Sequence, residues 1–385
     1  MPRGILIMPD SFKGCLSALE VSQIMERVVR RLGNFDVRSI PIADGGEGTV
    51  DALLAAAGGV RRTAPAAGTY GENIEAYYGV LSDEKTGVVE LATCAGLPLV
   101  RGKKNPALVT TLGVGQLILR ALQDGCSKIL LGLGGSASND GGAGLAFACG
   151  VRFFDPSGAP FLPTGATLLN VARIDMDGRN PLIEKAEIVA MCDVDNPFCG
   201  ECGAARVFAP QKGADEAMVS RLDEGLSHFA EVVKRDVGVS IRDLPGAGAA
   251  GGVGGGVVAF LGATLQSGID AILDQIQFET LLPDTRWIFS GEGRVDAQTL
   301  RGKAIFGISQ RAEKFRVPVV VIAGDVDLDD ASSRASLYES GVAAVFSTNQ
   351  KAEKFTRSKP HAARNLERTM ENVVRLMLRA SERGF

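Results

Sequence analysis

The sequence predicts an α/β protein with two domains, in which a parallel-sheet domain is built from both chain ends and a second α/β domain with a mixed sheet is inserted between them. Near both ends, apolar strand-like runs alternate with helical patterns, which is typical of a parallel sheet covered on both faces. The middle of the chain is richer in glycine and has runs typical of antiparallel neighbours. The length of 385 residues also exceeds what one core usually serves. We expect the discontinuous domain to comprise residues 1–65 and 284–385, and the inserted domain residues 66–283.

The amino-terminal segment contains two predicted strand–helix pairs. The apolar run GILIMP is the first strand, and Ser17 and Glu20 form a capping box before a helix that Gly33 ends. The run DVRSIPIAD predicts the second strand, and GTVDALLAAAGG predicts the second helix. These four elements therefore supply the first part of the parallel sheet.

The inserted segment has a different pattern. The runs YYGVL and GVVELA are typical of neighbouring antiparallel strands, and GQLILRALQDG and the segment that starts at Glu216 predict helices. We therefore expect a mixed sheet in this domain.

The strand–helix alternation returns near the carboxyl end. The runs RWIFSGEG, VPVVVIAGDVD and GVAAVFS predict three further strands, of which the first two continue into polar loops. KAIFGISQRAEKF and NLERTMENVVRLMLRA predict helices. With the amino-terminal strands, these runs complete a five-stranded sheet.

Polar side chains follow four strands of this predicted sheet. Ligands of open parallel sheets bind beyond the carboxyl ends of the strands. A concentration of carboxylates with a lysine and an arginine suits Mg²⁺ together with phosphate, whereas a single Asp-Gly pair is commonly a polar turn. The candidates in these four loops are Asp10, Ser11, Lys13, Asp44, Glu47, Glu292, Arg294, Asp296, Asp325 and Asp327.

The inserted domain has a second candidate region, where LGLGGSASNDGGAG places six glycines within fourteen residues after an apolar strand. Glycines let a backbone approach a ligand closely, and a helix amino terminus attracts anions. The candidates for substrate or phosphate binding in this loop are Gly134, Gly135, Ser136, Asn139, Asp140 and Gly141. Asp193 in CDVDNP and Lys212 in APQKGA join them, while PGAGAAGGVGGG is explained equally by a ligand or by close helix packing.

Two other motifs suggest different chemistry. GLGGSA fits the G-x-G-x-x-A pattern, and Asp155 ends the next predicted strand, so an NAD(P)-dependent oxidoreductase acting on a small hydroxy acid is the alternative function. Glycines interrupt the helix that this motif requires. Cys199 and Cys202 have C-x-x-C spacing with Cys192 nearby, but a zinc site needs a fourth ligand that the neighbouring sequence lacks.

Composition excludes several classes of protein. A net charge of −4 argues against nucleic acid as a partner. The chain has no Walker-type P-loop, and two histidines make a Ser-His-Asp hydrolase improbable. Seven scattered cysteines and an amino terminus without a secretory pattern predict a cytoplasmic protein. We expect an enzyme with no membrane partner, as a monomer or homodimer.

Taken together, the loops resemble those of the bacterial glycerate kinase family, which is unrelated to the P-loop kinases. PDSFKG, PIADGGEGT, LGLGGSASNDGGAG, CDVDNP, PQKGA, PGAGAAGGVGGG and SGEGRVDAQT occur in that family's order between Pro9 and about Ser347. The resemblance implies phosphorylation of D-glycerate that depends on ATP and Mg²⁺, usually giving 2-phosphoglycerate and otherwise 3-phosphoglycerate. It also implies that the discontinuous domain is flavodoxin-like.

Phosphoryl transfer needs phosphates held in line, neutralised charge and an oriented acceptor hydroxyl. Our hypothesis gives catalytic roles to Lys13, Lys212 and Arg294, which neutralise charge, and to Asp193 as general base. The predicted metal ligands are Asp44, Glu47 and Asp296. The sequence differs from the family pattern that we expect at Cys15, Ala95, Val114, Gln116 and Asp195, which bears on acceptor preference rather than on reaction class.

Overall fold

The structure is a computed structural model that describes residues 4–43, 45–46, 48–296, 299, 304–351 and 353–382. The chain divides into two compact units. The terminal unit comprises Met1–Asp44, Ala55–Ala57 and Ile272–Phe385, and the inserted unit comprises Gly45–Leu54 and Gly58–Ala271.

The described residues form fourteen strands, numbered in chain order. They are β1 Gly4–Pro9, β2 Asp36–Ser39, β3 Gly59–Ala67, β4 Asn73–Leu81, β5 Thr86–Glu90, β6 Lys128–Gly132, β7 Arg152–Phe154, β8 Pro160–Phe161, β9 Arg173–Asp175, β10 Glu187–Met191, β11 Thr264–Gln266, β12 Thr285–Val295, β13 Val319–Val326 and β14 Val342–Ser347.

The same residues form fourteen α-helices. They are α1 Ala18–Leu32, α2 Thr49–Ala57, α3 Ala92–Ala95, α4 Leu112–Gln123, α5 Ala143–Ala148, α6 Pro181–Glu184, α7 Ala204–Phe208, α8 Glu216–Asp236, α9 Ala249–Leu261, α10 Gly268–Gln275, α11 Ala304–Glu313, α12 Ala331–Glu339, α13 Phe355–Ser358 and α14 Ala362–Glu382. No helix among the described residues is long and apolar enough to cross a membrane.

The terminal unit contains a five-stranded parallel sheet with the order β14-β13-β12-β1-β2. Numbered by their sequence within this sheet, the strands run 2-1-3-4-5 from one edge, which is the flavodoxin-like order. In helix α1 the predicted capping box is present, because the Ser17 hydroxyl accepts from Glu20 N–H while the Glu20 carboxylate accepts from Ser17 N–H. The predicted flavodoxin-like fold class is confirmed.

The inserted unit contains a six-stranded mixed sheet with the order β11-β10-β6-β5-β4-β3. Strands β11, β10, β6 and β5 pair in parallel, whereas β4 pairs antiparallel with both β5 and β3. The predicted mixed sheet is therefore confirmed. A separate three-stranded antiparallel sheet has the order β8-β7-β9.

Each unit has its own hydrophobic core. In the inserted unit, the buried rings of Phe153, Phe229 and Phe260 pack with centroids 5.8–6.0 Å apart. In the terminal unit, Met25 of α1 and Phe289 of β12 are among the fully buried residues of a second cluster. The domain boundaries predicted from segment patterns stay a proposal, and the pairing of β3 with β4 supports moving the first boundary from residue 65 to about residue 58.

Three segments differ from the local expectation. Residues 291–295 and 323–326 were expected in polar loops, but they extend β12 and β13, where Glu292 pairs with Ala323 and Arg294 with Asp325. The run DVRSIPIAD forms a strand only over Asp36–Ser39. The longer ladder of β12 and β13 therefore fixes side chains that a flexible loop would leave mobile.

Candidate active site

The glycine-rich loop of the inserted unit begins where β6 ends. The neighbouring parallel strands β5 and β10 end at the same level, because Glu90 and Met191 both pair with Gly132. A Cβ on Gly132 would lie 2.5 Å from the Gly45 carbonyl oxygen, and one on Gly134 would lie 2.4 Å from Gly46 Cα. These two glycines are therefore required for close backbone packing.

Several backbone N–H groups in this loop already have protein partners. Gly134 N–H donates to Gly45 O, Gly141 N–H donates to Gly251 O, and Gly142 N–H donates to the Asp140 carboxylate. Gly135 has φ +73° and is exposed. The exposed part of the loop is thus Gly135, next to Ser136, rather than the whole run of glycines.

The Lys212 side chain packs against this loop from a distant part of the sequence. Its side chain is buried, and Nζ donates to the Ser138 carbonyl oxygen at 2.7 Å and to Ser136 Oγ at 3.2 Å. Burial lowers the pKa of Lys212 to about 7, and the nearby Asp140 carboxylate acts in the opposite direction. The predicted site residues Ser136 and Lys212 are therefore brought into direct contact.

The two serines of the loop form a hydrogen-bond chain with α9. Ser136 Oγ and Ser138 Oγ are 2.9 Å apart, and Ser138 Oγ donates to the Ala250 carbonyl oxygen at 3.1 Å. Ala250 begins three consecutive residues with positive φ inside α9. A Cβ on Gly251 would lie 2.0 Å from the Ser138 carbonyl oxygen, so close packing explains that glycine of the PGAGAAGGVGGG run.

Asp140 supports the loop. Its carboxylate accepts hydrogen bonds from Thr111 N–H and Thr111 Oγ1, both at 2.8 Å, and from the N–H groups of Gly142 and Gly144. Burial raises the pKa of Asp140, and these hydrogen bonds partly oppose the shift. The geometry therefore favours a loop-positioning role for Asp140 over ligand contact.

Asn139 has an unusual environment. The residue is fully buried, and neither polar atom of its side-chain amide has a hydrogen-bond partner among the described residues. A buried unpaired polar atom costs roughly 1–3 kcal/mol. Such an orphaned amide is typical of a site that binds a ligand or an ordered water.

Asp193 follows β10, two residues beyond Met191. It is exposed, and its carboxylate accepts from Gly268 N–H at 2.8 Å. Glu90, which the sequence analysis did not single out, is buried at the adjacent end of β5 and accepts from Val50 N–H at 2.6 Å. A carboxylate inside the otherwise apolar run GVVELA was the available signal for it.

In the terminal unit, the loop after β1 folds over the end of β12. Asp10 N–H donates to Gly291 O at 2.8 Å, and the Asp10 carboxylate accepts from Ser11 N–H. A Cβ on Gly293 would lie 3.0 Å from Lys13 N, while the Lys13 side chain is exposed. Strands β1 and β12 flank the point where strand order reverses, which is where ligands bind in this fold class.

Arg294 is surrounded by carboxylates on the same edge. It forms ion pairs with Asp327, with Asp325 at 3.6 Å and with Asp296 at 3.8 Å, and these raise the pKa of its guanidinium. Buried Glu292 accepts a hydrogen bond from Thr299 Oγ1 at 2.6 Å. Thr299 was not singled out from the sequence. The predicted metal ligands Asp44 and Glu47 lie outside the described residues.

The differences from the family pattern occupy varied positions. The Ala95 carbonyl accepts from Ala137 N–H, directly beside Ser136, and Gln116 Oε1 accepts from Ala67 N–H in β3. Val114 is buried, and Asp195 is exposed. Ala95 therefore contacts the glycine-rich loop through this hydrogen bond.

A model of the glycerate kinase family matches residues 5–378. The chain belongs to the glycerate kinase family. It is 44% identical to the glycerate 2-kinase of Escherichia coli K12 over 89% of this chain and 90% of that protein. It is 41% identical to the glycerate kinase of Bacillus subtilis 168 over 96% of both chains. A crystal structure described as a putative glycerate kinase 2 from Salmonella typhimurium LT2 is 37% identical, covers 100% of both chains and superposes with a TM-score of 0.87.

The predicted glycerate kinase family and enzyme class are confirmed by these relationships. ATP as co-substrate follows from membership of a kinase family. The comparisons give no support to the oxidoreductase alternative. The structure also separates the two parts of its motif, because Asp155 follows β7 of the small antiparallel sheet whereas GLGGSA follows β6 of the mixed sheet.

Proposed function

We propose that this member of the glycerate kinase family transfers the γ-phosphoryl group of ATP to D-glycerate and forms 2-phosphoglycerate, with 3-phosphoglycerate as the other possible product. The observation that most directly supports this proposal is the buried Lys212, whose Nζ is hydrogen-bonded to Ser136 and Ser138 of the glycine-rich loop. The relatives called glycerate kinase and glycerate 2-kinase support the choice of acceptor and hydroxyl.

Phosphoryl transfer depends mainly on positioning and charge stabilisation. In this proposal Gly134, Gly135, Ser136, Asn139, Asp140 and Gly141 form or support the anion-binding loop, with Gly135 and Ser136 at its accessible edge. Lys13 and Arg294 neutralise phosphate charge, together with Asp10 and Ser11 beside Lys13. Arg294 would exchange part of its pairing with Asp325 and Asp327 for phosphate.

Mg²⁺ belongs to the proposal as the ion that accompanies ATP. The described residues contain no group of three His, Cys, Asp or Glu side chains arranged to hold a metal. Sites of this kind bind Mg²⁺ through one or two carboxylates together with substrate phosphates. Asp44, Glu47 and Asp296 are the proposed ligands, and Asp193 is the proposed general base. Mg²⁺ would neutralise phosphate charge.

The first experiment incubates the protein with Mg-ATP and D-glycerate, measures ADP release and identifies the product by phosphorus NMR. We expect ADP formation that requires glycerate, with phosphate on the C2 oxygen. Phosphate on C3 would retain the kinase and change the product. Folded protein that binds no ATP would overturn the proposal, and an absorbance change with NAD(P)⁺ would favour the oxidoreductase.

Single substitutions test the proposed residues. Lys13→Ala and Asp193→Ala should each lower kcat at least about 100-fold if the side chain acts on the transition state. Lys351→Ala, which removes an exposed lysine of the terminal unit, is the control and should keep normal activity. A loss smaller than about tenfold in a folded variant would remove that residue from the site.

A cytoplasmic location is also proposed. All seven cysteines of the chain lie within the described residues, and all are free thiols. Free thiols are typical of a reducing compartment. The oligomeric state, monomer or homodimer, stays a prediction.

A further inference from the structure

Lys212 is a buried lysine whose hydrogen-bond partners are neutral. Nζ contacts the Ser138 carbonyl oxygen at 2.7 Å and Ser136 Oγ at 3.2 Å. Within the part of the chain that the structure describes, no carboxylate lies within ion-pair distance of Nζ. A buried ammonium without a paired anion is unfavourable. This environment therefore stabilises a neutral amine relative to a charged one.

The neighbouring serines connect that amine by hydrogen bonds to the edge of the glycine-rich loop. The Ser138 hydroxyl donates a hydrogen bond to the Ala250 carbonyl oxygen. The Ser136 proton is then directed to Ser138 Oγ, 2.9 Å away, when Lys212 is protonated, and is available to Nζ when Lys212 is neutral. Ser136 is buried, with 6% of its surface exposed, and it directly follows exposed Gly135, so it lies next to the part of the loop that a ligand can reach.

The charges around Lys212 permit both protonation states near neutral pH. Burial lowers its pKa to about 7, and Asp140 is the carboxylate that acts on it. Arg206 of the adjoining helix α7 forms an ion pair with Asp223 of α8. The Lys104 backbone packs against Gly213, the residue after Lys212. Lysines with pKa lowered by burial are suitable general bases.

We infer that Ser136 and Lys212 together accept the proton of the acceptor hydroxyl during phosphoryl transfer. The inference rests on the proposed kinase function. It gives the role of general base to this pair instead of Asp193, which would then be a ligand of Mg²⁺. The acceptor oxygen forms a bond to the γ-phosphorus while the bond from that phosphorus to the bridging oxygen breaks, and ADP leaves with the electron pair. The hydroxyl proton moves to Ser136 Oγ, and the Ser136 proton moves to Lys212 Nζ, which becomes an ammonium. Ser136 touches the substrate, and Lys212 acts through it.

The sign of the pH dependence distinguishes a base from a fixed cation. If Lys212 accepts the proton, kcat/KM for D-glycerate at saturating Mg-ATP rises with pH around 7 and levels above it. If Lys212 acts as a cation, kcat/KM falls over the same range. A falling or flat profile would overturn the inference.

Substitutions of Lys212 provide an independent test. Lys212→Arg keeps the charge but cannot supply a neutral amine, so we expect a loss of at least about 100-fold, as for Lys212→Ala. In Lys212→Ala, added methylamine should restore activity in proportion to its unprotonated fraction. Activity in Lys212→Arg within about tenfold of wild type, or rescue that follows the protonated fraction, would contradict a base.

Ser136 is tested separately. Ser136→Ala should lower kcat by about 10- to 100-fold with little change in the KM for ATP, and Ser136→Thr should recover most of that loss because it retains a hydroxyl. Ser220→Ala is the matched control, since Ser220 Oγ donates to Glu216 O in an exposed hydrogen bond within α8. Unchanged kcat in Ser136→Ala would remove the serine from the step. Absence of glycerate turnover in wild type would instead refute the proposed function itself.

Discussion

Lys212 makes the stability of the protein depend on pH, whatever its catalytic role. Its pKa is lowered by burial from 10.5 to about 7, so between these values the unfolded chain binds a proton that the folded chain does not. The free energy of unfolding therefore rises with pH above about 7, and this contribution is absent below it. Each pH unit contributes up to about 1.4 kcal/mol.

We expect this dependence to disappear in Lys212→Met. The difference in unfolding free energy between wild type and Lys212→Met should shift in favour of wild type by about 2 kcal/mol from pH 7 to pH 9. Urea unfolding of both proteins at the two pH values measures it. A difference that stays constant would show that Lys212 is not held in a low-pKa environment.

Asn139 gives a second prediction at the residue scale, because both polar atoms of its buried amide lack described partners. Asn139→Leu has similar size and removes them, so the free energy of unfolding should rise by about 1 kcal/mol. If the amide serves a ligand, kcat/KM for D-glycerate should fall in the same variant. Calorimetry and steady-state kinetics measure the two effects.

Asn180 is the matched control, since its side-chain oxygen has a hydrogen-bond partner. It caps α6 by accepting from Leu182 N–H at 3.0 Å. Asn180→Leu should therefore lower stability by about 1 kcal/mol, the typical effect of losing a cap. If both asparagine variants lose stability equally, Asn139 has a structural partner and its amide is not reserved for a ligand.

At the scale of elements, helix α9 is held against the glycine-rich loop by glycine itself. Gly251 has φ +72°, and a Cβ there would also lie 2.0 Å from the Ser138 carbonyl oxygen. Gly262, at the end of the same helix, has φ +66° and open space around it. Both positions therefore have left-handed backbone, but a Cβ would clash at Gly251 and would meet open space at Gly262.

Alanine at each position separates these effects. Gly262→Ala should cost about 1 kcal/mol, the penalty for left-handed backbone. Gly251→Ala should cost at least about 3 kcal/mol, because overpacking adds to that penalty, and it should also lower activity by displacing Ser138 from Lys212. Denaturant unfolding of both variants measures the difference, and equal losses would contradict close packing as the reason for Gly251.

Local signals explain which elements the sequence could predict. The capping box of α1 and the strand–helix alternation are short-range patterns, so α1, the parallel sheet and the β4–β5 pairing followed from them. The burial of Lys212 could not be predicted, because it depends on loop 136–138, which is distant in sequence. The packing of Gly132 and Gly134 against Gly45 and Gly46 is likewise a contact between residues distant in sequence. The sequence pattern therefore suggested that the glycines expose backbone N–H groups to an anion.

At the scale of the whole molecule, the two units have separate hydrophobic cores, and proteins of this kind commonly depart from two-state unfolding. Trp287, the single tryptophan of the chain, packs against the terminal core near Phe289. Its fluorescence therefore reports on the terminal unit, whereas far-ultraviolet circular dichroism reports on both.

Two core substitutions test whether the units unfold independently. Phe289→Ala in the terminal core and Phe229→Ala in the inserted core each remove a fully buried ring, which typically costs about 3–5 kcal/mol. We expect Phe289→Ala to shift the urea midpoint of Trp287 fluorescence and Phe229→Ala to leave it unchanged, while each variant shifts a different part of the dichroism curve. If Phe229→Ala moves the fluorescence midpoint as far as Phe289→Ala does, the two cores unfold as one cooperative unit, and a substitution in either would then act on the whole chain.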